Sequence, residues 1–568
     1  MKLTDAWRLF GPNLQTRGPA ALVEVSFEPG EDVDKGVATW TSELSRMASL
    51  VGIPVVDAAA RTYKGGAVLT FSAAIDTQLA ATDVSEWAAM SAVSILEGKG
   101  ALPLEPQRTT FLEAVAAQTN PRLLALEAET LRRGVPLVWD EDTVTVGAGR
   151  TARAWPKKEL PEVRDIPWDA IADIPIALVT GTNGKTTSVR LLARILKHAG
   201  HVVGMTTTDG VWVDEACVEA GDYTGPAGAV QALRSPLVDA AVLETARGGI
   251  LRRGLAVRSV GAALLTNVSE DHLGHYGIDD LETLARVKAV VGTVVRPSGR
   301  VVVNADEIHL LRRAPSFPAP MTLFSVNPDR PVLAAHVAAG GDGWTAADGW
   351  IVRRAAGKEE RIVLVAEVPV TFGGAAAYNV ANALGAAATA SALGASDSAI
   401  ADGLRSFTGS STDNPGRGNL HDAGGVQVLV DFAHNPAGIR SVLELARSLA
   451  PGARLGVVAG YAGDRSDESL REAARVVAEK KPQKVWLRDL RGYLRGRAEA
   501  EVPRLFQEEL VRLGLPHDAV EIAASEGVAL RRALEWARPG DFVVVLAHLE
   551  TGEVGGVLSD FAARPPRS

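Results

Sequence analysis

A chain of 568 residues, 46% of them apolar and 22% charged, has material for three or four globular units and is not expected to be disordered. Its formal charge of -9 offers no basic field for a phosphate backbone, which argues against nucleic acid as a partner. Cys217 is the only cysteine, so an intramolecular disulfide and a cysteine-based zinc site are both excluded. The start, MKLTDAWRLFGPNL, lacks the apolar core of a signal peptide, and no later run approaches the length of a membrane span. A reduced cytoplasm, without a membrane partner, is the expected setting.

Residues 1–155 mix strand-like runs (ALVEVSF, AVLTFSAAI) with helical patterns (SEWAAMSAVSILEGKG, NPRLLALEAETLRRG) and read as an N-terminal α/β module. Residues 156–173 carry prolines and charges that disfavour regular structure and suit a linker. From 174 to 412 the runs IPIALVT, DAAVLE, VGAALLTNV and RVVVN alternate with helical segments, predicting a mainly parallel sheet with helices on both faces. Within this domain, Phe324 to Thr371 is rich in short strand signals and is expected to add a small antiparallel element. Residues 413–568 repeat the alternation (VQVLVDF, ARLGVVAG, KVWLRD, FVVVLA) as a Rossmann-like domain without the GxGxxG fingerprint. The fold class is therefore α/β and multidomain, with a central P-loop sheet and a C-terminal Rossmann-like unit.

Between the buried strand IPIALVT and the helix SVRLLARILKHAG stands Gly181-Thr182-Asn183-Gly184-Lys185-Thr186-Thr187. Glycines let backbone N–H groups turn toward phosphate oxygens, the helix start adds a favourable dipole, Lys185 neutralises charge, and the Thr186 hydroxyl can bind Mg²⁺. The phosphate of a nucleotide is the expected ligand. Glu244 closes the strand DAAVLE, at the sheet edge where α/β proteins bind ligands, and is placed to hold Mg²⁺ directly or through water. A helix-capping or salt-bridged glutamate is the competing reading.

The general P-loop pattern has a glycine where Val179 stands, and the shortened GTNGKTT form resembles that of Mur ligases and folylpolyglutamate synthases. The runs ETARGGILR, GDYTGP and DHLG resemble the Mur-like domain of cyanophycin synthetase more than the cell-wall enzymes. The resemblance covers roughly residues 174–568 and, more weakly, the first module, where RLFGPN is similar to the family's N-terminal start. The ATP-grasp domain that separates those two parts in cyanophycin synthetase has no counterpart between Trp155 and the P-loop strand.

That resemblance implies roles for further residues. His272 would help bind magnesium, and Lys288 stands where Mur ligases carry a lysine carbamylated by CO₂ as a metal ligand, an ordinary helix lysine being the alternative. Asn379 and Asn382 would lie beside the nucleotide base, with helix capping as the local alternative. Arg417, in NPGR, would reach the terminal phosphate, and Asp431, in DFAHNP, the ribose. Asp222, Thr224, Arg247, His434, Asn435, Arg465, Arg495 and Arg497 are candidates for contacting substrate. The implied reaction is ATP- and Mg²⁺-dependent formation of an amide bond through an acyl phosphate, joining an amino acid or amine to a carboxylate, peptide-like acceptor, with Lys185, Glu244, His272, Lys288 and Arg417 as the catalytic set. Other classes remain open: an NTPase switch, or a catalytically silent Mur-like scaffold or regulatory nucleotide-binding protein. A homo-oligomer is left open.

Overall fold

The computed structural model describes residues 1–271, 273–490, 492–547 and 551–562. Residues 1–155 begin with a four-stranded antiparallel sheet in the order Lys2–Leu9, Ala20–Ser26, Gly66–Ser72, Val56–Tyr63. Helices Val33–Val51 and Gln78–Leu96 pack on it. The first of them starts on Asp32, whose side chain accepts from the Lys35 N–H, and it buries Trp40, Leu44 and Met47 on the face toward the sheet. Helices Gln107–Gln118 and Pro121–Arg133 follow, and then a small sheet of Leu137–Trp139, Thr143–Val146 and Arg153–Pro156.

The segment after residue 156 holds only short 3₁₀ turns, as its prolines dictate, but it is not a free tether. Leu160, Ile166 and Ile171 are buried against Leu123, Leu126 and Val144, so it lies as a strap along the small sheet. The N-terminal module is fastened to the rest at the FGP of RLFGPN. The Phe10 N–H donates to the Arg253 carbonyl and the Leu255 N–H to that of Pro12. A Cβ on Gly11 would stand 2.4 Å from the Leu255 carbonyl oxygen, so this contact needs glycine.

The central domain is built on an eleven-stranded sheet. Its middle is parallel, with Val203–Thr207, Ala240–Glu244, Ile176–Thr180, Val260–Leu265 and Val295–Asn304 side by side. Ile176 and Leu178 enter one core while Ala177 and Val179 enter the opposite one, which is why IALVT reads as an unbroken apolar run. The strands Asp342–Ala347, Trp350–Ala355 and Lys358–Leu364 form the small antiparallel addition, and they extend the main sheet because Asp342–Ala347 pairs in parallel with Met321–Ser325.

The C-terminal domain has six strands in the order Arg417–Asp422, Gln427–Asp431, Phe542–Leu546, Leu455–Tyr461, Lys484–Asp489, Val520–Ile522. Only the first is antiparallel to its neighbour. The fold is thus multidomain α/β with two parallel-rich sheets, and no helix among the described residues is long and apolar enough to cross a membrane.

Candidate active site

The ends of the two parallel sheets face each other across a cavity of about 350 Å³ lined by residues of both domains, among them Thr182 to Thr187, Glu244, Asn382, Arg417, Asp431 and His434. On the central side the glycine turn is held from behind. The Asn183 N–H donates to Asn267 Oδ1 (2.8 Å), while the Asn183 carbonyl accepts from Thr266 Oγ1 (2.8 Å) and Asn267 Nδ2 (3.0 Å). Gly184 has φ 80°, and a Cβ there would stand 2.2 Å from Asn382 Oδ1, so only glycine fits this turn. Lys185 opens the helix Lys185–His198 and its amine donates to the Thr182 carbonyl at 2.9 Å, folded over the turn it would lend to phosphate.

Thr186 Oγ1 donates to Glu244 Oε2 at 2.8 Å. The other carboxylate oxygen, Oε1, is buried and has no hydrogen-bond partner among the described residues. Burial raises the Glu244 pKa, opposed by Lys185, Arg417 and the Thr186 hydrogen bond. A buried carboxylate with an orphaned oxygen beside a hydroxyl, at a phosphate-binding turn, is the donor set that Mg²⁺ uses when phosphate and water complete its shell. The residues present therefore fit the ion, although no group of three or more His, Cys, Asp or Glu side chains converges among the described residues. Thr208, which sequence reasoning missed, completes this floor: it accepts from Arg417 Nη2 at 2.8 Å and stands 3.4 Å from Thr186 Oγ1. It follows the strand Val203–Thr207 at the same sheet edge, and that placement was its only available signal.

The C-terminal domain brings Arg417 across, its guanidinium 5.0 Å from the Phe432 ring centroid. Asp431 ends the neighbouring strand, with Oδ1 accepting from the Ala433 N–H at 2.8 Å. Burial pushes its pKa up to about 6, against hydrogen bonds from Ala433 and Gly418 and the charge of Arg417. If Asp431 receives the ribose hydroxyls as a carboxylate, ATP affinity falls as the pH drops below about 6, and Asp431→Asn removes that dependence at a cost of about tenfold in affinity. Nucleotide titrations at pH 5.5 and 7.5 measure both, and an unchanged pH profile in the variant rejects the role.

The remaining candidates divide. Asn382 lines the cavity, whereas Asn379 sits behind it, donating to the Val370 carbonyl (2.9 Å) and accepting from Asn382 (3.0 Å), so it supports the asparagine that faces the turn. Asn435 caps the helix Pro436–Leu449 and exchanges amide hydrogen bonds with Asn183 (2.8 and 3.1 Å), tying the two domains at the phosphate turn. Asp271 receives Arg465 at 2.7 Å and lies 3.6 Å from His434, a second tie, with Arg247 nearby in charge. Asp222 accepts from the Thr224 N–H and hydroxyl and adds negative charge near Glu244. Arg497 is occupied by the 463–467 loop and Glu501, and Arg495 is exposed beside Tyr493; neither lines the cavity. His272 lies outside the described residues. Lys288 is buried on the helix Leu281–Thr293, its amine donates no hydrogen bond and forms no ion pair among the described residues, and it does not line the cavity. Burial and the charge of Lys185 push its pKa well down, with Asp271 acting the other way.

Residues 179–390 match the Mur ligase middle domain, and residues 416–549 match the Mur ligase glutamate ligase domain. A UDP-N-acetylmuramoyl-L-alanyl-D-glutamate–2,6-diaminopimelate ligase of Corynebacterium efficiens is 30% identical over 423 residues, 70% of this chain and 73% of that protein. The chain belongs to the Mur ligase family. This Mur ligase is also 41% identical over 372 residues to the cyanophycin synthetase of Synechocystis, a match covering 66% of the chain but only 42% of that relative's length. In fold it resembles Escherichia coli FolC in complex with ADP, at a TM-score of 0.51 and 20% identity over 68% of this chain and 89% of that one.

Proposed function

We propose that the chain is an ATP- and Mg²⁺-dependent ligase that joins an amino acid or amine to a carboxylate, peptide-like acceptor. The observation that carries this reading is the convergence of Lys185, Thr186, Glu244 and Arg417, drawn from two domains, on one cavity floor where a buried carboxylate oxygen has no hydrogen-bond partner among the described residues. In this reading the acceptor carboxylate attacks the γ-phosphate of ATP and ADP leaves. The amine then attacks the resulting acyl phosphate and inorganic phosphate departs. Lys185 and Arg417 neutralise charge on the transferring group, and no nucleophilic side chain takes part. Magnesium, held by Thr186 and Glu244, would supply electrostatic neutralisation of the phosphates. The ties Asn183–Asn435 and Asp271–Arg465 close the C-terminal domain over the cavity, which shields the acyl phosphate from water.

The test is phosphate release with a panel of amino acids against short acidic and neutral peptide acceptors, followed by mass spectrometry of the product. A mass increment of one added residue, dependent on both ATP and acceptor, is expected. Glu244→Gln should raise the Mg²⁺ concentration needed for half-maximal release by about tenfold. ATP hydrolysis that ignores every acceptor, or a Glu244→Gln variant with unaltered Mg²⁺ dependence, refutes the assignment.

A further inference from the structure

A second cavity, of about 610 Å³, opens between the N-terminal module and the central domain. Its walls are Trp7, Arg8 and Phe10 from the first strand and the turn after it, Trp139 from the small sheet, and Arg252 and Arg253 from the end of the helix Arg247–Arg253. Its inner end reaches Asp222, Gly225 and Gly249, and Gly225 and Gly249 also line the small gap that touches Glu244. The two cavities are therefore neighbours along one line from the phosphate turn to the N-terminal module.

The outer end is cationic. Arg252 and Arg253 lie 5.5 and 4.7 Å from the Trp7 ring centroid, and Arg252 also lies 5.1 Å from that of Tyr276. Among the described residues neither forms an ion pair with a carboxylate, and Arg252 makes only a 3.5 Å contact to the Gly248 carbonyl. Arg8 pairs with Glu141, a largely exposed carboxylate, while Arg234 is consumed by Asp140, Thr143 and Thr145. Burial and the charges of Arg8 and Arg252 lower the Arg253 pKa, opposed by Asp5. Two guanidinium groups held over one indole, neither paired with a carboxylate among the described residues, with Arg8 lining the same cavity, are arranged for an anion. The helix Pro226–Arg234 points its start into the same space, and its cap, Gly225, has no side chain to satisfy the first N–H groups.

We propose that this cavity holds an acidic, peptide-like acceptor chain, gripped by Arg252 and Arg253 through a carboxylate distal to the one activated beside Glu244. This rests on the ligase reading above and names the acceptor's chemical class. The aromatic walls of Trp7, Phe10 and Trp139 receive the chain's methylene and amide faces, and the arginines select a further negative charge.

The experiment is calorimetric titration of the full chain, with its phosphate site filled by a non-hydrolysable ATP analogue and Mg²⁺, using tetraglutamate, tetraglutamine and inorganic pyrophosphate as probes. Tetraglutamate should bind at least about tenfold more tightly than tetraglutamine, and the Arg252→Gln/Arg253→Gln variant should lose that preference while still binding the nucleotide analogue. Arg253→Lys in the single variant should retain most of it. Equal binding of the two peptides, a preference untouched by the double substitution, or binding of pyrophosphate in place of the peptide overturns the inference. Failure of the nucleotide analogue to bind the unaltered chain would instead refute the ligase reading, so the two outcomes are separable.

Discussion

Lys185→Ala is expected to reduce ATP-dependent phosphate release by about 1000-fold while leaving the fold intact. Among the described residues the side chain makes one hydrogen bond, to the Thr182 carbonyl of its own turn, and the apolar residues that anchor its helix, such as Val189 and Leu192, are untouched by the change. Removing it should cost only the charge that phosphate needs. A folded variant, shown by unchanged circular dichroism and melting temperature, that turns over at the wild-type rate would remove the phosphate-binding role from this loop.

Lys288→Ala should lower turnover by about 100-fold, and short-chain carboxylic acids should restore part of it. Burial pushes the pKa of the Lys288 amine well down and so favours its neutral form, which is the form that reacts with CO₂. Lys185, Arg247 and Asp271 are its charged neighbours, so the anionic carbamate would meet two cations where the ammonium meets repulsion. Stripping bicarbonate from the buffer should depress the wild-type enzyme and leave the variant unaffected. If neither carboxylic acids nor bicarbonate has an effect, Lys288 is a plain structural lysine.

The central strands and the phosphate turn were legible because burial on both faces writes continuous apolar runs, and because a turn like Gly184 admits no other residue. The strands Lys2–Leu9 and Val56–Tyr63 were not, since each lies at an edge and fully buries almost none of its side chains, leaving no clear alternation to read. The site was legible in its words but not in its joints. Asn183 meets Asn435, and Asp271 meets Arg465, across separations that only folding removes, and Thr208 carries no motif of its own. The second cavity was invisible for the same reason: Trp7 and Arg253 belong to different domains, and nothing in WRLFGPN or ILRR announces that the guanidinium of one will lie over the indole of the other.

The wide central sheet also bears on how the chain behaves at high concentration. An eleven-stranded sheet has two open rims, each with unpaired backbone groups that could template a strand from another molecule. One rim, Lys358–Leu364, begins with four charged side chains in succession, Lys358, Glu359, Glu360 and Arg361. The other, Ala216–Ala220, is only five residues long, fully exposed, and joined to its neighbour through an irregular register. Both rims are thus poor seeds for edge-to-edge aggregation, so self-association of this protein is better sought on its helical faces than at the ends of its sheet.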